Sequence, residues 1–120
     1  MRSNNSWMHN LPTLAKGPFR CTALVNPADA ARAGVTGGAI ARLHGAGGRS
    51  LDVTVEVSGA TMPGVICLPH GWGHALPGTR LAVAAERPGV NLNHLLDDTL
   101  RDPLSGNAVL SGAPVTLTAA

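Results

Sequence analysis

Three separated stretches of this chain combine polar side chains and glycines in ways suited to holding a phosphorylated ligand. The first, Arg2-Ser3-Asn4-Asn5-Ser6, supplies a guanidinium, hydroxyls, carboxamides and backbone N–H groups, the set a pyrophosphate needs. Arg2 can grip a phosphate through paired N–H bonds, while Asn5 and Ser6 can donate to phosphate or ribose oxygens. The second is Pro69-His70-Gly71-Trp72-Gly73-His74. A glycine on each side of Trp72 lets the backbone approach a flat ligand and leaves the indole face open for stacking on a base. The third is Asn91-Leu92-Asn93-His94-Leu95, followed by Asp97, Asp98 and Asp102. Guanine offers donors at N1 and N2 and acceptors at O6 and N7, so carboxylates and carboxamides match its two edges.

Each stretch also has a plainer reading. Composition alone favours a solvated, partly disordered terminus for the first. In the second, Trp72 can simply cover the core, and His70 and His74 would share a metal only on a helix that the intervening glycines break. In the third, Asn93 can cap a helical turn, and an acidic cluster is usually a solvated face. The chain holds no activated nucleophile, no acid/base carboxylate pair and no cysteine cluster for an iron–sulfur centre, so alone it is expected to do no redox chemistry.

The elements that must position these stretches are short. Residues 1–18 lack periodicity and read as an ordered loop or arm. Residues 20–25 form an apolar, β-friendly run. A short helix follows, with Asn26 as cap, Pro27 at its first position, Asp29 in the first turn and Gly34 at its end. Residues 39–44 and 51–57 read as paired strands, with Leu51, Val53, Val55 and Val57 on one face of the second. Residues 65–68 read as a fully buried strand, 80–85 as strand or helix, 94–98 as one helical turn capped by Asn93, and 115–118 as a closing strand. Many short strands and glycine turns predict a mainly β domain with short helices, closed into a small barrel that hides its edges.

Composition sets further bounds. With 120 residues the chain is one domain with one core, and its 44% hydrophobic and 13% charged residues suit a globular fold. Trp7, Trp72 and Phe19 are the only aromatics apart from histidine, so aliphatic residues must build that core. The nine Lys and Arg residues are scattered, without the stripe that nucleic acid requires. No apolar run is long enough to span a membrane. Cys21 and Cys67 lie in apolar runs and read as buried free thiols of a reducing compartment, here the cytoplasm, with an exported parent enzyme left open.

Taken in this order and spacing, with Asn26-Pro27-Ala28-Asp29-Ala30 between the first two, the stretches resemble the C-terminal molybdopterin-dinucleotide-binding domain of the molybdenum and tungsten oxidoreductases. These are the dimethyl sulfoxide reductase, formate dehydrogenase and nitrate reductase relatives. The resemblance runs over about residues 2–117. It implies a double-psi β-barrel of the aspartate-decarboxylase-like kind: one domain, residues 1–120, with a cofactor-contacting arm at 1–18 and the barrel at 19–118. It implies a piece of a longer oxidoreductase that binds molybdopterin guanine dinucleotide, present in the parent as a bis form with molybdenum or tungsten. The partners implied are that cofactor and the parent's remaining domains. Arg2, Asn5, Ser6, Trp7, Met8, His70, Gly71, Trp72, Asn91 and Asn93 carry over as cofactor contacts, while the metal ligand, the iron–sulfur cluster and the catalytic residues lie elsewhere. Two alternatives stand beside it, a free-standing barrel subunit of a multi-chain enzyme and an unrelated β-barrel interaction module.

Overall fold

Alternation along Ser50–Val57, called β3, drives the architecture, because its inward Val53 and Val55 are only 3% and 1% exposed. The computed structural model describes residues 2–3 and 6–120, and in it β3 is the middle of a five-stranded sheet. The other strands are β1 (Thr22–Val25), β2 (Ile40–His44), β4 (Ile66–Cys67) and β5 (Thr116–Ala119), in the order β4-β1-β3-β2-β5. β1 runs parallel to β3, with Thr22 opposite Thr54 and Val25 opposite Val57, and every other pairing is antiparallel. A parallel pair needs a crossover. Helix α1 (Pro27–Ala33) and β2 supply it between β1 and β3.

Helix α1 forms where its local signals lie. The Asn26 carboxamide oxygen accepts from the Ala28 N–H at 3.0 Å, Pro27 opens the helix, and Gly34 closes it in the left-handed conformation at φ 67°. Asp29 does more than favour the helix start. Its carboxylate accepts from the Gly64 N–H at 2.6 Å and pairs with Arg32, which ties the helix to the turn before β4. On β2, Ala41 and Leu43 point inward while Arg42 faces out and bonds twice to Asp52, its register partner, at 2.6 and 2.7 Å. The core gathers Ala23, Val25, Val35, Ala41, Leu43, Val53, Val55 and Leu95.

Several expectations change. The sheet does not close: β4 and β5 are its two edges, and both border an apolar groove of about 290 Å³ or its continuation beside α1. β4 has only two residues in ladder geometry, Ile66 and Cys67, and among the described residues they pair with β1 alone. As an edge it is not fully buried either; Val65 is 43% exposed, and the Cys67 thiol is exposed while Cys21 is buried. The ambiguous 80–85 segment contains helix α2 (Ala82–Ala85). The turn expected at 94–98 is a 3-10 turn at Leu92–His94, and its cap is Asn91, not Asn93. Among the described residues no helix is long and apolar enough to cross a membrane.

The core's dependence on β2 predicts that Leu43→Ala, at a side chain 1% exposed, costs about 2–5 kcal/mol in urea denaturation. Leu104→Ala, at a side chain 96% exposed, should stay within about 0.5 kcal/mol.

Candidate functional site

The arm is pinned to the sheet. One nitrogen of the Arg2 guanidinium donates to the Thr22 carbonyl and hydroxyl at 3.2 and 3.0 Å, and the other meets the Glu56 carboxylate at 2.6 Å. Thr22 and Glu56 belong to the parallel strands β1 and β3, and the Thr22 hydroxyl donates to the same carboxylate oxygen at 2.7 Å. That bond, together with the Arg2 charge, holds the Glu56 carboxyl below the usual carboxylate range. The group read as a phosphate clamp is thus turned into the protein. Further along the arm the Asn10 carboxamide oxygen accepts from the Val83 and Ala84 N–H groups at 2.9 and 3.2 Å, capping α2.

Around Trp72 the arm meets the second stretch. The indole N–H donates to the Arg2 carbonyl at 2.7 Å, the His9 ring lies 4.1 Å from the Trp72 ring, and Phe19 approaches edge-on at 5.4 Å. His9 Nδ1 sits 2.9 Å from His74 Nε2, and both imidazoles are buried. Burial lowers both pKa values, with the neighbouring His74 adding to the effect at His9. His74 therefore pairs with His9, while His70 is exposed. Among the described residues no cluster of three or more His, Cys, Asp or Glu is placed to hold a metal.

The second and third stretches are joined by backbone. The Gly73 and His74 N–H groups both donate to the Pro88 carbonyl, at 2.7 and 3.1 Å. Gly73 has φ +103°, and a Cβ there would lie 2.6 Å from the Asn91 Cβ. Gly89, at φ +62°, packs so closely that a Cβ would lie 2.8 Å from both the Cys21 sulfur and the Trp72 ring. Together Gly73, Gly89, Val90, Asn91 and His94 border a cleft of about 360 Å³. Asn91 accepts from the Asn93 N–H at 3.0 Å, and the Asn93 side chain is exposed, with no hydrogen bond among the described residues.

The structure therefore gathers Arg2, Gly71, Trp72, Asn91 and Asn93 at one end of the sheet. Trp72 does not border the cleft; its ring is engaged by His9, Phe19 and Gly89. Trp7 is 59% exposed and Met8 half-buried, while Asn5 and the Ser6 side chain lie outside the described residues. Asp98 lies 3.4 Å from Arg49, and Asp102 accepts from the Ser105 N–H and hydroxyl, a local turn. Arg87 donates to the Gly17 carbonyl at 2.6 Å. Sequence reasoning did not single out His9 or Asn10, whose partners lie more than sixty residues away. No local pattern marks either.

Comparison with known proteins gives concordant matches. The family model described as the molydopterin dinucleotide binding domain matches residues 1–114. The chain is 31% identical over 110 residues to a tetrathionate reductase polypeptide of Salmonella typhimurium, a match that covers 78% of this chain but only 11% of that protein. Acetylene hydratase from Pelobacter acetylenicus shares the fold at a TM-score of 0.64 and 24% identity, over 82% of this chain and 14% of that one. This chain thus spans a small fraction of either relative.

The close fit of Gly73 on Asn91 yields a controlled comparison. Gly73→Ala should cost about 1–3 kcal/mol from backbone strain alone, and more from the clash, in urea denaturation. Gly78→Ala, with φ +86° and nothing within 4 Å, carries the strain without the clash. Equal losses would show that the contact between the two loops contributes nothing.

Proposed function

The chain belongs to the molydopterin dinucleotide-binding domain family of molybdenum and tungsten oxidoreductase-like proteins, and we propose that it holds the guanosine diphosphate half of molybdopterin guanine dinucleotide. In this reading it is the C-terminal domain of a longer, cytoplasmic oxidoreductase, with residues 1–18 as the contacting arm. The relatives' names, a reductase and a hydratase, denote different reactions, which fits substrate choice made outside the shared piece. The double-psi barrel belongs to the same proposal, with the gap between β4 and β5 closed in the parent.

The observation that carries the reading is the glycine-walled cleft beside Asn91 and Asn93. Its volume of about 360 Å³ lies within the range of ~300–1,000 Å³ common for ligand sites. Gly73 and Gly89 border the cleft and, lacking side chains, let the loops pack directly on Asn91 and on Cys21 and Trp72, which sets the cleft's wall. Asn93 offers a carboxamide whose donor and acceptor have no partner among the described residues, and the exposed His94 lies beside it. Arg2 would have to exchange Glu56 for phosphate, with His70 and Gly71, next to Trp72 in the chain, and Trp7 on the arm completing the contact. When bound, the metal–pterin group supplies the electron and atom transfer, and this domain supplies orientation. Its own residues hold the nucleotide and fix its register; the metal ligand comes from other domains of the parent.

An NMR titration of the isotope-labelled chain with GDP tests this. Shifts are expected at Gly71, Gly73, Gly89 and Asn91–His94, with affinity no tighter than micromolar, about −8 kcal/mol, because other domains enclose most of the cofactor. Asn93→Ala should weaken GDP roughly two- to tenfold through one lost hydrogen bond. Shifts confined to other surfaces would remove the assignment of this cleft.

A further inference from the structure

One buried feature at this end is used by nothing described so far. His9 and His74 are 5% and 4% exposed, and they touch through Nδ1 and Nε2 at 2.9 Å. That contact needs one ring nitrogen to donate and the other to accept; two imidazolium rings have only donors and cannot make it. The remaining nitrogen of His9, Nε2, is buried with no hydrogen bond of ordinary geometry among the described residues, so His74 is the described side chain that hydrogen-bonds this ring. His9 in turn lies flat enough on Trp72, at 4.1 Å and 32°, to act as its backing. Trp72 holds the Arg2 carbonyl through its indole N–H and packs on Gly89 at the wall of the cleft. An unbroken line of contacts therefore runs from the histidine pair to the arm on one side and to the cleft on the other.

The geometry points to His9 and His74 as positioning residues for the proposed nucleotide cleft: while at least one ring is neutral they seat Trp72, and protonation of both unseats it together with the arm. This rests on the cofactor reading only for its consequence at the cleft; the latch itself is independent of it. Among the described residues no carboxylate is paired with either imidazole, and only the Gly71 backbone favours a charged His9. Lys16 and Arg87 border the cavity beside His9, and a protonated His70 would add further positive charge. Arg2 and Glu56 are paired with each other, and on α2 and its flanks Arg80 and Glu86 are exposed. Burial already holds both histidines below their ordinary 6.5. The unfolded chain therefore takes up protons first. The pair's contribution is complete above about pH 6.5 and is lost as pH falls below that, through the lowered folded-state values.

The test follows the two indole N–H signals of the labelled chain from about pH 8 to about pH 5, the interval in which histidines titrate. Trp72 should move with a midpoint below 6.5, while the exposed Trp7 indole and the Val53 and Val55 amides stay in place. In His9→Gln and His74→Gln one histidine still titrates, but the carboxamide oxygen can accept from its imidazolium, so the large Trp72 shift should disappear. GDP affinity of the unaltered chain should fall below the midpoint by up to about a hundredfold per pH unit, the limit for two linked protons. A Trp72 signal that ignores pH, or that titrates equally in both variants, overturns the latch. A Trp72 signal that titrates as stated while GDP binds nowhere keeps the latch and removes the cofactor reading.

Discussion

The tight seating of Trp72 is the constraint on which the functional end of this chain depends. Of the chain's few large rings Trp7 is exposed, and Trp72 is the one that joins three segments distant in sequence. Its indole N–H fixes the arm through the Arg2 carbonyl, one region of the ring meets His9 and Phe19, and another meets Gly89. An aromatic ring gains dispersion and apolar burial only where neighbours reach van der Waals distance. At Gly89 that distance is available because no Cβ intervenes. Glycine costs about 0.5–1 kcal/mol of chain entropy, and at this position the contact it permits offsets the loss.

The sheet carries this arrangement through its parallel pair. β1 and β3 place Thr22 and Glu56 where a single guanidinium reaches both, and Cys21, one residue before β1, receives the Val90 N–H on its sulfur at 3.3 Å. The start of β1 therefore faces the arm on one side and the third stretch on the other. Burial pushes the Cys21 thiol up, consistent with a packing role and not with reactivity. Because the crossover through α1 fixes the parallel register, the helix clamp at Asp29 and Gly64 also helps set where the arm and the loops converge.

What was legible in the sequence was local. Every signal for α1, from the Asn26 cap to the left-handed Gly34, acts within its own turn, and each is realised. The alternation of β3 likewise declares its inward face, although Val57 at its end is 38% exposed. The errors concern partners at long range. An apolar tetrapeptide at 65–68 has the composition of a buried strand, but exposure is decided by whether a neighbour pairs with its far side, and here none does. The barrel fails to close for the same reason, and Cys67 becomes exposed with it. Choosing between Asn91 and Asn93 as cap required knowing the first residue of a single 3-10 turn, which propensity does not resolve. Of the candidate site, the residue types and their order were readable, and Trp72 packed on protein was one of two open readings; that Arg2 faces other protein groups was not readable.

That inward engagement of Arg2 bears on how a domain of this family can hold phosphate without a large cost in its absence. A guanidinium facing solvent beside a glycine-rich loop would keep its rotamer freedom and lose it on binding. Here Arg2 is already held between β1 and β3, so its backbone and the Trp72 contact are ordered beforehand. If it turns toward a phosphate, Glu56 keeps the Thr22 hydroxyl at 2.7 Å and, being 41% exposed at the side chain, regains water on its open side. The exchange therefore replaces one half-exposed ion pair with another and leaves no buried carboxylate unpaired, the step that would otherwise be expensive. On the proposed reading the net gain from Arg2 is therefore small: it would set the arm, and affinity and discrimination would fall to the backbone and the Asn91 carboxamide that border the cleft, with Asn93 exposed in the turn beside it.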